Sequence, residues 1–516
     1  FEMKKIITFL IAPFLLNLVA CDKFLDKNPD SRVELDTAEK VQKFLVSAYP
    51  SVSPAVLTEF SSDNIDDIGA NNRYTLPFIE EIVYWKDFHE YGNRDGLRSI
   101  WNDSYSSIYH ANLALEAIGK LPDSPRASAA KGEALVARAY AHFVLVNLFG
   151  KHYNTTTSST DLGVAYVDAP ITEFRAQRPR NTVAEVYQRI EQDLTEGLAL
   201  INDSYYSVPK FHFTKKAAQA FAARFYLYKE NWVKAEEMAT AVLGETIVPS
   251  VLRNWSAFQS LLPGDPHAKE FSRDDVEANI LLTTIVTKAN SYIDETSVAR
   301  FTHGAALASR ETFLDGNNLW GGDQSAYKDK PYVRYRPEIS KYTFTKYPKY
   351  ANSRSQVALF NSDEILLIRA EARILQSNYT GALSDLNLFT SRYLTVATAY
   401  TQSDINTAYD RIASSSYDTT TKLSYATQKK ALHPAFTIPS GAENMIHYLL
   451  QCRRLLTLGE GLRWYDIRRY GIEVYRHQLD NEGNAYVKEV LTPTDNRRTL
   501  PLPVDVVAAG LEQNPR

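Results

Sequence analysis

A short string recurs in this chain and restricts the architectures open to it. Asn231-Trp232-Val233-Lys234-Ala235 aligns with Asn378-Tyr379-Thr380-Gly381-Ala382, and the same offset sets Ala223 on Ala370 and Leu227 on Ile374. Each copy lies between stretches whose apolar residues fall three and four positions apart, the period of an amphipathic helix. Thr214 is placed to cap a helix through Tyr228, and Lys234 to Leu243 continues as a second one. Asp363 to Gln376 and Gly381 to Ser391 repeat that arrangement. Upstream, Glu133 to Gly150 carries Ala134, Ala137, Ala141, Leu145 and Leu148 on one face, with Gly150 as a stop. Thr182-Val183-Ala184-Glu185 spells a capping box that opens a helix to about Ile201. The chain is predicted to be mainly α.

A helix, an Asn-aromatic turn and a second helix opening at Ala resemble a tetratricopeptide hairpin. Small Ala at the crossing lets two helices approach, and the turn aromatic fills the wedge between them. Stacked pairs of this kind build a right-handed scaffold; an irregular helical bundle is the other arrangement the pattern allows. Two stretches lack the helical period. Residues 61–94 are polar and aromatic, and residues 248–350 hold a strand-like run, Asn279 to Val286, among many Gly, Asn, Asp and aromatic residues. Loops of such length in a compact chain are usually functional, so this irregular lobe is expected to carry the ligand site.

At the beginning, Lys4 and Lys5 lead into an apolar run from Ile6 to Ala20, closing on Leu18-Val19-Ala20-Cys21. A charged start, a short apolar core and small residues before a cleavage point describe a secretory signal over residues 1–20. The ending resembles a bacterial lipobox, which implies a lipid on Cys21 and a mature chain over residues 21–516. The run is about 15 residues long and broken by Pro13 and Asn17, against roughly 20 needed to span a bilayer. The 57 basic and 61 acidic side chains give a net charge of −4, in which nothing suggests a nucleic-acid or polyanion surface. With Cys21 acylated, Cys452 stands alone, so no internal disulfide is available. Its run, Leu449-Leu450-Gln451-Cys452, makes it a small buried hydrophobe.

Several segments, taken in order, resemble the SusD/RagB family of outer-membrane lipoproteins of Bacteroidetes. They are Cys21-Asp22-Lys23-Phe24-Leu25-Asp26, Trp101-Asn102-Asp103-Ser104-Tyr105 through Asn112, and Gly132-Glu133-Ala134 through Arg138-Ala139-Tyr140 to Gly150. Thr214 to Leu227, Glu364 to Ala372, Gly461-Leu462-Arg463-Trp464-Tyr465-Asp466 and Pro501-Leu502-Pro503 continue the series. The last departs conservatively from the family's "PIP". The resemblance implies a tethered protein at the cell surface that binds an oligosaccharide, a sialic acid-type sugar or a peptide. It further implies a lid over a SusC-like TonB-dependent transporter, with no bond made or broken. A glycan-processing enzyme and a purely structural adaptor are the competing classes.

Binding residues are sought on the two irregular stretches. Trp320, within Gly316-Asn317-Asn318-Leu319-Trp320-Gly321-Gly322-Asp323, suits a ring held out by flexible turns to stack on a sugar. The early loop offers Asn72, Arg73, Tyr74 and Trp85, of which Arg73 could clamp a carboxylate. Asn102 could face the same site, although Trp101 beside it is expected in the core. Tyr327 is a further candidate, with Tyr292, Arg300 and Tyr335 weaker ones. Asp63, Asn64, Asp66 and Asp67 read as a solvated turn, with a structural calcium as the alternative. No other cofactor or metal is indicated: the ten histidines form no zinc motif, and no phosphate loop or nucleophile elbow occurs. Arg463 and Asp466 are spaced to pair within a buried network on one helix.

Overall fold

The computed structural model describes residues 34–69, 76–89, 92–170, 178–255, 269–289, 292, 300–303, 307, 326–328, 335–337, 355–393, 399–412, 429–479 and 485–516. Two short helices, α1 (Ala38–Phe44) and α2 (Ala55–Ser61), precede the two-residue strand β1 (Asp66–Asp67) and helix α3 (Pro77–Val83). Three long helices follow: α4 (Leu97–Ile118), α5 (Pro125–Phe149) and α6 (Val183–Leu200). Next come α7 (Lys215–Tyr228) and α8 (Trp232–Leu243), then β2 (Asn279–Ile285), β3 (Phe301–Thr302), β4 (Ala326–Lys328), β5 (Tyr335–Pro337) and β6 (Ser355–Asn361). The C-terminal part holds α9 (Ser362–Leu375), α10 (Tyr379–Tyr393), α11 (Gln402–Asp410), α12 (Glu443–Thr457), α13 (Arg463–Arg469), β7 (Val474–Leu479), β8 (Ala485–Leu491) and α14 (Val504–Ala508).

The helices pack largely on their chain neighbours: α4 on α5, α5 on α6, α7 on α8, α8 on α9, and α9 on α10 and α12. Local sequence explains where they start. Thr182 accepts from the Glu185 amide at 3.2 Å while Glu185 accepts from the Thr182 amide at 2.9 Å, so the capping box is complete. Thr214 caps α7 through the Ala217 amide at 3.1 Å. Helices α5 and α6 touch backbone to backbone at two glycines. A β-carbon on Gly132 would lie 2.8 Å from the Gly197 carbonyl oxygen, and one on Gly197 would lie 2.6 Å from Val136, so no larger residue fits there. A buried ion pair fixes the same interface: Arg138 donates to both oxygens of Asp193 at 2.7 Å and to Asn112 on α4 at 2.8 Å.

The recurring string folds twice into one turn. Glu230 (φ 60°) and Ser377 (φ 63°) both adopt the left-handed conformation. Asn231 then accepts from the Lys234 amide, and Asn378 from the Gly381 amide, each at 3.1 Å. The Asn231 and Asn378 amides reach back to Tyr226 and Arg373 carbonyls at 2.9 and 2.8 Å. Because Asn is the cap, the second helix begins at the aromatic residue, earlier than the sequence spacing suggested. Ala235 and Ala382 are fully buried at the crossings.

The strands pin the irregular parts to this frame. β2 pairs antiparallel with β6, Leu282 opposite Ala358, which joins the long stretch to the start of α9. A second sheet has the order β3-β1-β7-β8: β1 runs antiparallel to β3, with Asp66 opposite Thr302, and parallel to β7, with Asp67 opposite Gln478. It brings residues from both irregular stretches against the C-terminal hairpin.

Candidate ligand-binding site

Asp67 organises the centre of that sheet. Its carboxylate is fully buried and accepts from Arg300 Nε at 2.8 Å and Arg300 Nη2 at 2.7 Å, from the Tyr84 hydroxyl at 2.6 Å and from Gln478 at 3.0 Å. Burial by itself raises the pKa of Asp67; the hydrogen bonds from Arg300 and Tyr84 outweigh it and leave the group below its ordinary value. The same burial and the bond to Asp67 push the Tyr84 phenol up. Arg300 belongs to the late irregular stretch, and Asp67 and Tyr84 to the early one. The pair therefore ties the two together.

Above this knot opens a hollow of about 580 Å³. Its walls come from α3 and the residues after it (Glu80, Tyr84, Trp85, Lys86, Asp87), from Arg300, from β8 (Lys488, Glu489), and from Arg497 and Arg516. The groups are charged and mutually held. Lys86 pairs with Glu80 at 2.8 Å, and Arg300 also reaches Glu80 at 3.4 Å. Arg497 bridges Asp495 at 2.7 Å and Glu489 at 3.1 Å. Arg516 donates to the carbonyl oxygens of Trp85 and Lys86 at 2.7 and 2.8 Å. Donors and acceptors arranged on a preformed wall suit a polyhydroxylated ligand. The acids that line it each face a cation.

Beneath the hollow, charge is buried in quantity. Asp63 accepts two bonds of 2.9 Å from Arg463, one of 3.0 Å from Lys430, and lies 3.6 Å from Arg454. Burial opposes ionisation here, yet the cations Arg454, Arg463 and Lys430 hold Asp63 well below the usual carboxylate range. Glu59 takes the Gly459 and Gly461 amides at 3.0 and 2.9 Å. Arg476, fully buried on β7, gathers the carbonyls of Phe60, Ile65, Ser62 and Val83, and desolvation brings its pKa down to about 10. A cation at the C-terminal carbonyls of α2 is the favourable sense of the helix dipole.

The sequence candidates distribute as follows. Trp320, Asn72, Arg73, Tyr74 and Cys21 lie outside the described residues. Tyr327 sits on β4 opposite Arg336 of β5. Trp85 is a correction: it lines the hollow but is only 2% exposed, its indole N–H donating to the Ser61 carbonyl at 3.0 Å and its ring lying under Arg476. It packs the floor and offers no open face to a sugar. Asn102 is exposed on α4, away from the hollow's lining. Beside it, Trp101, Tyr105 and Tyr109 line a separate and mainly apolar groove of about 260 Å³. Trp101 is in the core, edge-on to Phe149 at 5.0 Å. The solvated turn at Asp63 to Asp67 is also corrected. These residues are buried, and their carboxylates diverge to separate partners: Asp63 to Arg463, Asp66 to His477 at 2.8 Å, Asp67 to Arg300. Arg463 turns to Asp63, and Asp466 instead faces Arg453 at 2.9 Å. Lys86, Lys488, Arg497 and Arg516 went unnoticed in the sequence. Val474 to Leu479 has no apolar–polar alternation, so no local period marks the hairpin that supplies Lys488.

Two family models match the chain. One, "Starch-binding associating with outer membrane", covers residues 23–227, and the other, "SusD family", covers residues 298–499, together about four-fifths of the sequence. The chain belongs to the SusD family. The SusD-like proteins P38 and P2 of Formosa agariphila are 26% and 28% identical over 251 and 257 residues. Those matches take in 46% and 47% of this chain; it spans about half the length of these curated relatives, 45% and 46%. A SusD superfamily structure from Bacteroides thetaiotaomicron aligns with a TM-score of 0.63 at 18% identity, over 94% of this chain and 100% of that one. A structure described as a laminarin-binding SusD-like protein aligns at 0.53 and 16%, over 93% and 98%. The mainly helical fold is thus that of the SusD superfamily, a carbohydrate-binding family associated with the outer membrane. Among the described residues no helix is long and apolar enough to cross a membrane.

Proposed function

We propose that this SusD-family chain captures a saccharide in the hollow above the Asp67–Arg300 knot and passes it to a SusC-like TonB-dependent transporter. The observation that carries the reading is the hollow itself, where both irregular stretches converge on the C-terminal hairpin around preset polar groups. The laminarin-binding neighbour supports a glycan over a peptide. In this reading residues 1–20 are a leader, Cys21 carries a lipid anchor in the outer membrane, and residues 21–516 form the binding unit. The chain makes and breaks no bond and needs no cofactor. Lys86 and Lys488 supply hydrogen bonds from the rim, Arg300 from the wall.

The test is calorimetric titration of the protein with a glycan panel, together with the variant Lys86→Ala/Lys488→Ala. Both lysines are exposed, so folding should survive. Binding of a panel saccharide that drops about tenfold in the variant, at unchanged melting temperature, is expected for two lost charge-assisted hydrogen bonds. Unaltered affinity, or release of new reducing ends from the saccharide, would refute the reading.

A further inference from the structure

The charges that face the hollow are unequal. Among the described residues it is lined by five cationic side chains and three carboxylates. Behind the wall, Asp67 and Asp495 add negative charge, but Asp67 is fully buried, so a ligand meets the guanidinium of Arg300 before the acid that holds it. Two of the cations are weakly matched. Lys488 has no carboxylate within ion-pair distance among the described residues, and Arg516 has only Asp87 at 3.5 Å, itself 89% exposed. The bonds of Arg516 go mainly to backbone carbonyls, which orient its fork without neutralising it.

The rings at this site are equally telling. Trp85 is buried under Arg476, and the Lys86 ammonium lies over the Tyr84 ring, 5.5 Å from its centroid. The described wall thus lacks an open aromatic platform of the kind that holds a neutral sugar by its C–H face. What it does present is charge-assisted donors, roughly twice as strong as neutral ones.

We infer that the hollow selects a saccharide bearing an acidic group, carboxylate or sulfate, whose anion sits between Lys488 and Arg516 while its hydroxyls reach Glu80 and Glu489. This rests on the saccharide-binding reading above and adds the class of sugar.

The probes are oligogalacturonate for the carboxylate, dextran sulfate oligomers for the sulfate, and laminarin oligosaccharide as the neutral reference, titrated into the protein at about 50 mM and 500 mM salt. One acidic probe should bind about tenfold or more tighter than laminarin at low salt, with the gap closing at high salt as charges are screened. Lys488→Gln should weaken the acidic probe severalfold more than it weakens laminarin, whereas Lys43→Gln, on an exposed lysine of α1, should change neither. Laminarin binding as tightly as both acidic probes would overturn the inference and leave saccharide binding standing. Equal loss from Lys43→Gln would also overturn it, by showing diffuse attraction. Binding of none of the three would defeat the inference and remove the support for the reading beneath it.

Discussion

The two repeated hairpins and the floor of the hollow are both buried, yet the hairpins lean on small residues and polar partners nearby in sequence, and the floor on ionic partners far away in it. In α7–α8 and α9–α10 small Ala235 and Ala382 sit at the crossings, the turn is closed by one Asn side chain in each copy, and α9–α10 adds the buried Arg369–Asp385 ion pair, 16 residues apart. In the floor, Asp63, Glu59, Asp67 and Arg476 are fully or almost fully buried and satisfied by partners hundreds of residues away. Apolar packing tolerates small shifts at small cost. A buried ion is costly unless its partners are in place, so such a floor holds its groups in one arrangement. A scaffold of the first kind gives shape, and a floor of the second kind gives a binding wall fixed before any ligand arrives.

The sharpest way to break this contrast is Asp63→Ala, which strands Arg463 and Lys430 without their acid. A loss of about 3–5 kcal/mol in urea unfolding is expected. The folded-state pKa of Asp63 lies below its unfolded value, so its contribution is present above the unfolded pKa and fades as pH falls through the folded one. The stability gap between wild type and Asp63→Asn should therefore narrow as pH drops below about 4. A gap that stays constant into acid would separate Asp63 from the floor's stability.

Next in size, Ala382→Leu forces a larger side chain into a helix crossing and should cost about 1–3 kcal/mol, with little dependence on pH. A cost as large as that of Asp63→Ala would erase the difference between the regions. The smallest effect lies in the repeated turn. Glu230→Gly and Ser377→Gly each remove a β-carbon from a left-handed position, so each should stabilise by up to about 1 kcal/mol. Matching gains would sharpen the equivalence of the two copies, and gains of opposite sign would break it.

The same contrast decides what could be read from the letters. Helix periods, the capping box at Thr182 and the Asn caps at Asn231 and Asn378 are local signals, with donor and acceptor within four residues. Helix α3 was also local, since Pro77 precedes Phe78, Ile79, Ile82 and Val83 at helical spacing, but the polar residues around it masked the pattern. The partners of Asp63, Asp67 and Trp85 are not local. Asp63 meets Arg463 400 positions later, and a cluster of acids reads as solvent-exposed until such cations are known. Arg300 was singled out only weakly because nothing near it in sequence reveals Asp67, 233 positions away. Lys488 joins the hollow through the pairing of β1 with β7 and of β7 with β8, and Arg516 through its bonds to the Trp85 and Lys86 carbonyls.

The most direct test of the binding site is a crystal structure of the protein soaked with whichever panel oligosaccharide binds most tightly. The expected result is sugar density in the hollow, within hydrogen-bonding distance of Lys488 and of the outward face of Arg300. Density confined to the Trp101–Tyr105–Tyr109 groove, with the hollow filled only by water, would contradict the account.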